Sequence, residues 1–337
     1  MEPLVLNPGS SSLKFACGGE SGVIEHARMA EATAEVLARF PDVDAVGVRV
    51  VHGGSRFVAP TIVDDAVLDG IRELSSLAPL HNPLAVEVIE EVRRTLPNIP
   101  IVAVFDTAFH QTMPEVASTY AVPPELGVRR YGFHGISYAY IASRIKVEKL
   151  IACHLGNGAS VCAMRDGKSV DTSMGLTPLE GLVMGTRAGD IDPGVVVSLA
   201  RQGVDVDDLL NHRAGLLGLS GISADVRTLQ DSPDPRAQLA LDVFAYRVAK
   251  YVGAYAAVLG GVDALVFTAG IGEHSATVRA RVCSRLTHLG IILSDALNRA
   301  PAKSERLIGG KVWVVPTNEE AEIARATAAT ISSPTGA

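Results

Sequence analysis

Two short glycine turns and two arginines carry most of the chemistry this sequence can offer. The first turn is Asn7-Pro8-Gly9-Ser10-Ser11-Ser12-Leu13-Lys14, which groups an amide, three hydroxyls and an ammonium beside backbone N–H groups. Such a cluster suits phosphate oxygens. It is not a Walker A loop, since the G-x-x-x-x-G-K-[ST] spacing is absent and a strand, not a helix, follows. Alone, it reads as a surface hairpin with a Ser-rich turn. A second turn of the same design, His154-Leu155-Gly156-Asn157-Gly158, lies about half a chain further on, so the two hairpins argue for two facing halves of like fold with a phosphate chain between them. Arg49 precedes Val50-Val51-His52-Gly53-Gly54, and Arg187 lies in Gly185-Thr186-Arg187-Ala188-Gly189-Asp190. Neighbouring glycines let a ligand come close, and a guanidinium takes a carboxylate or phosphate through paired hydrogen bonds. Gly270-Ile271-Gly272 follows an apolar run and precedes Ser275, which opens a helix. Strand, glycine turn and helix N-terminus in that order suit a nucleotide phosphate or ribose.

These residues need elements to hold them. Residues 4–6 and 13–17 read as strands flanking the first turn, and 150–164 as the second hairpin, with a third strand after Asp166-Gly167. Helices are expected over 30–40, from Asp64 or Asp65 to 74, and from Asn82 as cap, with Pro83 first, to 96. Residues 44–51 and 100–105 are strands, the second delivering Asp106 at its C-terminal end. A polar loop, 129–137, feeds a helix from Tyr138. Asp192 caps a helix starting at Pro193, and the longest helix runs from Asp234-Pro235 to 259, where Gly260-Gly261 stops it. Its apolar faces mark a core or subunit-contact helix. Residues 263–268 and 311–315 are strands, and Thr317 with Glu320 has capping-box spacing, leaving Glu319 beside it.

The bulk numbers narrow the partners. A chain of 337 residues with 47% apolar and 20% charged residues is a folded protein of two domains. A net charge of −7 without a basic block argues against nucleic acid and anionic membrane as partners. Residues 252–272 form the longest apolar zone, but Asp263 and five glycines break it, so no membrane span is expected. A mean hydropathy of +0.25 points to apolar surface buried between subunits. Cys17, Cys153, Cys162 and Cys283 form no C-x-x-C pair and read as buried thiols. With Met1-Glu2-Pro3 leading straight into a strand, a cytoplasmic location is expected.

In order along nearly the whole chain, these motifs resemble the acetate kinases, the acetokinase family within the acetate and sugar kinase, heat-shock ATPase and actin superfamily. Besides those quoted, Leu80-His81-Asn82-Pro83, Phe105-Asp106-Thr107-Ala108-Phe109-His110, Arg130-Tyr131-Gly132-Phe133-His134-Gly135 and Pro316-Thr317-Asn318-Glu319-Glu320 carry the likeness. The resemblance implies an α/β fold of two ribonuclease-H-like (actin-like ATPase) domains around a central cleft, with mixed sheets flanked by helices. It places the first domain at 1–110, completed by a C-terminal helix 321–337. The second, 111–320, carries the nucleotide site and a homodimer interface. It implies reversible phosphoryl transfer from ATP to acetate, giving ADP and acetyl phosphate, with Mg2+ or Mn2+. Such a carboxylate acceptor is already ionised, so catalysis is positioning plus positive charge rather than strong base.

The resemblance also assigns roles. Arg49 and Arg187 flank acetate and the transferred group, His134 stabilises the transition state, and Asp106 is catalytic. For Asp106, holding an arginine or a magnesium-bound water is expected in preference to acting as base. Magnesium lies near Asn7 and Glu319, whose oxygens suit a hard cation. Lys14, Ser10, Ser12 and the turn His154, Leu155, Gly156, Asn157, Gly158 take the ATP phosphates. Asp225, Val226 and Arg227, with Gly270, Ile271, Gly272, Glu273 and His274, hold the adenosine end. Val51, Leu80, Phe133 and Pro178 wall in the acetate methyl. The chain departs from the family in its length, in Gly135-Ile136-Ser137-Tyr138 and in His274, which stands where asparagine is common. A propionate or butyrate kinase and a non-catalytic actin-like ATP-binding module are the alternatives. A sugar kinase is a third, but it needs a base and a polar pocket.

Overall fold

Up to their carboxyl ends, the parallel strands of the first sheet are apolar on both faces, and helices cover both. The computed structural model describes residues 2–9, 12–25, 28–301 and 304–333. The chain forms two units. The first holds the described chain up to Gln111, the segment Phe133–Tyr140 and the described residues from Asn318 on. Its strands are β1 (Leu4–Pro8), β2 (Ser12–Cys17), β3 (Glu20–Glu25), β4 (Val46–Val50), β5 (Thr61–Ile62) and β6 (Ile101–Phe105), ordered β3-β2-β1-β4-β6-β5. Parallel β1, β4 and β6 are buried almost throughout, as strands covered on both faces must be. One face packs on the helices Met29–Arg39 and Asn82–Thr95, the other on Glu319–Ser332. Gly47 lets the last helix lie close, because a Cβ there would stand 2.2 Å from Thr327 Oγ1.

The second unit holds Thr112–Gly132 and Ile141–Thr317. Its strands are β7 (Lys149–Leu155), β8 (Ala159–Arg165), β9 (Lys168–Thr172), β10 (Ala264–Thr268), β11 (Arg306–Leu307) and β12 (Val312–Val314), ordered β9-β8-β7-β10-β12-β11 when read from the β9 edge. In both sheets the first two pairings are antiparallel, the next two parallel and the last antiparallel. This is one ribonuclease-H-like arrangement used twice, and the two glycine hairpins hold the same place in each. The helix Pro235–Leu259 packs on β7 and β8; Asp234 caps it by accepting from Arg236 N at 2.8 Å, and Gly260, with φ +68°, ends it.

Local expectations fail where a side chain finds a distant partner. β1 runs on through Asn7 and Pro8, which face Lys14 and Leu13, so the turn starts only at Gly9. β4 pairs with Leu4–Leu6 alone, and the missing Pro8 donor therefore costs no ladder bond. Asn82 does not cap its helix. Its amide instead accepts from His52 N and donates to His52 O, each at 3.0 Å. The helix expected from Tyr138 begins at Gly135, whose N–H is held by Asp106 O at 3.0 Å. Asn318, rather than Thr317, caps the last helix by accepting from Ala321 N, while Thr317 N donates to Glu273. Residues 270–272 form no turn. They belong to a short helix, Ala269–His274, entered through Ala269 at φ +63°.

Candidate functional site

In the first unit, the carboxyl ends of β1, β4 and β6 converge on one charged cluster, the position from which open α/β sheets present ligands. Arg49 on β4 donates from Nε and Nη2 to Asp106 Oδ2 at 3.0 and 2.6 Å, and from Nη1 to Asn7 Oδ1 at 3.2 Å. Asn7 Nδ2 donates to Glu319 Oε2 at 3.2 Å and Glu320 Oε1 at 2.9 Å, in the first turn of the helix Glu319–Ser332. Burial works against the Arg49 charge, but Asp106 and Glu319 together hold it above its ordinary range. Burial pushes the Asp106 carboxyl up to about 6 against the pull of Arg49, and Glu319 adds to the rise. Asp106 Oδ1 is buried and has no hydrogen-bond partner among the described residues.

That arrangement bears on the expected cation. Among the described residues there is no cluster of three or more His, Cys, Asp or Glu side chains able to form a protein cage for a metal. Magnesium rarely uses one; it takes one or two carboxylates plus substrate phosphates and keeps several waters. The orphaned Asp106 oxygen and the neighbouring Glu319 and Glu320 carboxylates are hard donors of that kind. The residues fit Mg2+.

His134 follows in the left-handed region at φ +59°, a costly conformation for a non-glycine residue and one found at functional sites. His110 Nε2–H donates to Phe133 O at 2.9 Å and so fixes the peptide just before it. Phe133 is buried edge-on to His52, with ring centroids 5.4 Å apart. Val51 is buried, whereas Leu80 is 55% exposed. Lys14 and Ser12 lie on β2, with Lys14 exposed opposite Asn7. Ser10 falls outside the described residues.

In the second unit, the tip of the β7–β8 hairpin is closed by Gly156 N donating to Gly158 O at 3.0 Å, and Asn157 O accepts from Gly185 N at 3.1 Å. Beside it lies a cavity of about 530 Å3, within the range of nucleotide-sized pockets. Of the expected residues, Gly156, Asn157, Asp225, Val226, Arg227, Gly270, Ile271 and His274 line it. His154, Leu155, Gly158, Gly272 and Glu273 do not. His154 and Leu155 are buried in β7, Gly272 lies against the Phe267 backbone, and Glu273 is turned to Thr317. Ala224, Gln230 and Ser275 line the cavity and were missed. Gln230 stands one helical turn beyond Val226 and donates to Ser275 Oγ at 2.7 Å, so its spacing was the available signal. Asp225 caps the helix Val226–Asp231 and pairs with the exposed Arg227 at 3.2 Å.

Arg187 lies in the long loop after β9. Its Nη1 donates to Pro178 O at 2.7 Å, bringing two expected acceptor residues together. Burial lowers its pKa, and among the described residues no carboxylate lies within ion-pair distance. A desolvated guanidinium with no anionic partner favours an incoming anion. A buried arginine that sequence reasoning missed, Arg279, donates to the carbonyls of Gly272 and Glu273, both at 2.8 Å, and ties that helix to Asn298. No helix among the described residues is long and apolar enough to cross a membrane.

Known proteins resemble the chain over most of its length. The sequence model of the Acetokinase family matches residues 21–325. The acetate kinase of Heliobacterium modesticaldum is 48% identical, over 91% of this chain and 85% of its own. The crystal structure of Porphyromonas gingivalis acetate kinase superposes with a TM-score of 0.89 at 38% identity, covering 98% of this chain and all (100%) of its own. A propionate kinase from Francisella tularensis gives a TM-score of 0.89 at 38% identity, covering 97% of this chain and 99% of its own.

Proposed function

The chain belongs to the acetokinase family, and on that premise we propose that it transfers the γ-phosphoryl group of ATP to acetate, reversibly, giving acetyl phosphate and ADP. One observation carries the reading: Arg187 is a largely desolvated cation with no carboxylate of the described residues within ion-pair distance, in a loop that also presents Pro178. A non-catalytic ATP-binding module has no use for such a group. Two anions must be brought together, so the guanidiniums of Arg187 and Arg49 quench repulsion between acceptor and phosphoryl oxygens. His134 donates to the transferring group. Asp106 acts by holding Arg49 in line through two hydrogen bonds rather than by taking a proton. Mg2+, when bound, neutralises charge on the phosphates. Asn7, Asp106 and Glu319 would supply its protein-side oxygens. We assign Lys14, Ser10, Ser12 and His154–Gly158 to the ATP phosphates, and the cavity beside Asp225–Arg227 and Gly270–His274 to adenosine. Val51, Leu80, Phe133 and Pro178 limit the acceptor. We assign 1–110 with 321–337 to the first domain and 111–320 to the second, except that Phe133–Tyr140 and the described residues from Asn318 pack with the first unit.

A homodimer completes the reading. The helix Pro193–Arg201 (PGVVVSLAR) has no buried residue, and Val195 and Val197 stand exposed with Ile191 just before it. So apolar a helix left in water calls for a partner, and a second copy supplies one. A cytoplasmic location fits cysteines that are all free.

Propionate is the second acceptor to consider, since the F. tularensis propionate kinase structure matches as well as the acetate kinase one. The test is hydroxamate trapping of the acyl phosphate from ATP with acetate, propionate or butyrate. Acetate should give the highest kcat/KM, falling roughly tenfold per added methylene. No acyl hydroxamate from any of them would reject the proposal.

A further inference from the structure

The loop between β9 and the helix Pro193–Arg201 has little regular structure, yet it is fastened at both ends. At its start, Arg130 Nη1 donates to the carbonyls of Thr172, Ser173 and Met174 at 3.1, 3.3 and 3.0 Å. Arg130 Nη2 donates to Glu180 Oε1. The other Glu180 oxygen accepts from the Tyr120 hydroxyl, which itself accepts from Leu176 N at 2.9 Å. Gly175 is enclosed by this cluster, since a Cβ there would fall 2.1 Å from the Tyr120 oxygen. At the far end, Asp190 accepts from Gly181 N at 2.9 Å and from the Tyr251 hydroxyl at 2.7 Å. Between these anchors lie Pro178 and Arg187.

We propose that the Tyr120–Glu180–Arg130 clasp is a positioning device that sets the Arg187–Pro178 contact and thereby the affinity for the acceptor. This rests on the reading that Arg187 binds the acceptor. An exposed surface pair would contribute little. Here the three side chains are half-buried, each is bonded to at least one of the others, and two also hold the backbone that leads into the loop. Removing the Tyr120 hydroxyl removes the hydrogen bond that Glu180 accepts from it and the one it accepts from Leu176 N. The loop then gains freedom that must be lost again when an anion binds.

Tyr120→Phe and Glu180→Gln are the variants, assayed in the full-length protein. Each should raise KM for acetate about tenfold while KM for ATP stays within about twofold. In an Arg187→Ala background, Tyr120→Phe should cost less than about twofold more, because its effect passes through that arginine. Hydrogen exchange across 176–190 should speed up in both variants, with exchange around the nucleotide cavity unchanged. That readout does not depend on activity. If the parent protein is inactive, the functional reading fails and exchange alone judges the clasp. Unchanged exchange in 176–190 overturns the clasp, as does a parallel rise in both KM values or an equal cost with and without Arg187.

Discussion

Asp106 sits 1% exposed at the end of β6, with one oxygen gripped by Arg49 and the other unpartnered. Burial raises it from an ordinary 3.8 to about 6. Between those values the folded protein keeps a proton that the unfolded chain has released. This group's contribution to stability therefore falls as pH rises through that window. Above it the carboxylate is ionised and holds Arg49. Accordingly, the chemical-denaturation midpoint of the magnesium-free protein should fall as pH rises from about 4 to about 6, and an Asp106→Asn variant should lose that fall. The same variant should lose most of its turnover even with saturating magnesium. Near-normal turnover in it would remove both the arginine-holding and the metal-side roles. His134, by contrast, is defined by backbone: its left-handed φ is a cost that His110 offsets by holding the Phe133 carbonyl.

Among the elements, the helix Glu319–Ser332 has two duties: it closes one face of the first sheet and brings Glu319 to Asn7. Gly47 sets how closely it lies. Gly47→Ala should therefore destabilise the protein by about 1–3 kcal/mol through overpacking against Thr327, read as a lower chemical-denaturation midpoint. The helix Pro193–Arg201 makes a different prediction. Val195→Glu with Val197→Glu should shift the molecular mass in light scattering from dimer to monomer, while a parent already monomeric would refute the dimer. Much of this was legible locally. Glycine turns, the Asp-Pro and Gly signals bounding 235–259, and carboxylates after apolar runs depend on neighbours in sequence. The hairpins and the places of Asn7, Arg49 and Asp106 at strand ends were therefore readable, whereas Glu319 reads locally only as a helix-dipole carboxylate and its expected role rests on the family resemblance. What was missed depends on partners far along the chain. Asn82 looked like a cap until His52 took its amide, and Arg130 and Glu180 carry no motif that announces their pairing. Gly270 and Gly272 misled because glycine beside a strand end fits a turn as well as a first helical turn.

At the scale of the whole molecule, one sheet order occurs twice, and in each copy residues expected at the site lie beyond the carboxyl ends of its parallel strands. The first copy gathers Asn7, Arg49 and Asp106 there. The second leads from β7 and β10 into the turn and short helix that line the cavity. The proposed transfer, to an acceptor that carries its own charge, needs no base and relies on cations such as Arg49 and Arg187. Arg187→Ala is the most direct test, with acyl hydroxamate formation and thermal unfolding measured beside the parent. The account predicts that kcat/KM for acetate falls by about a thousandfold while the unfolding midpoint is preserved. Undiminished acetyl hydroxamate formation by the folded variant would contradict it.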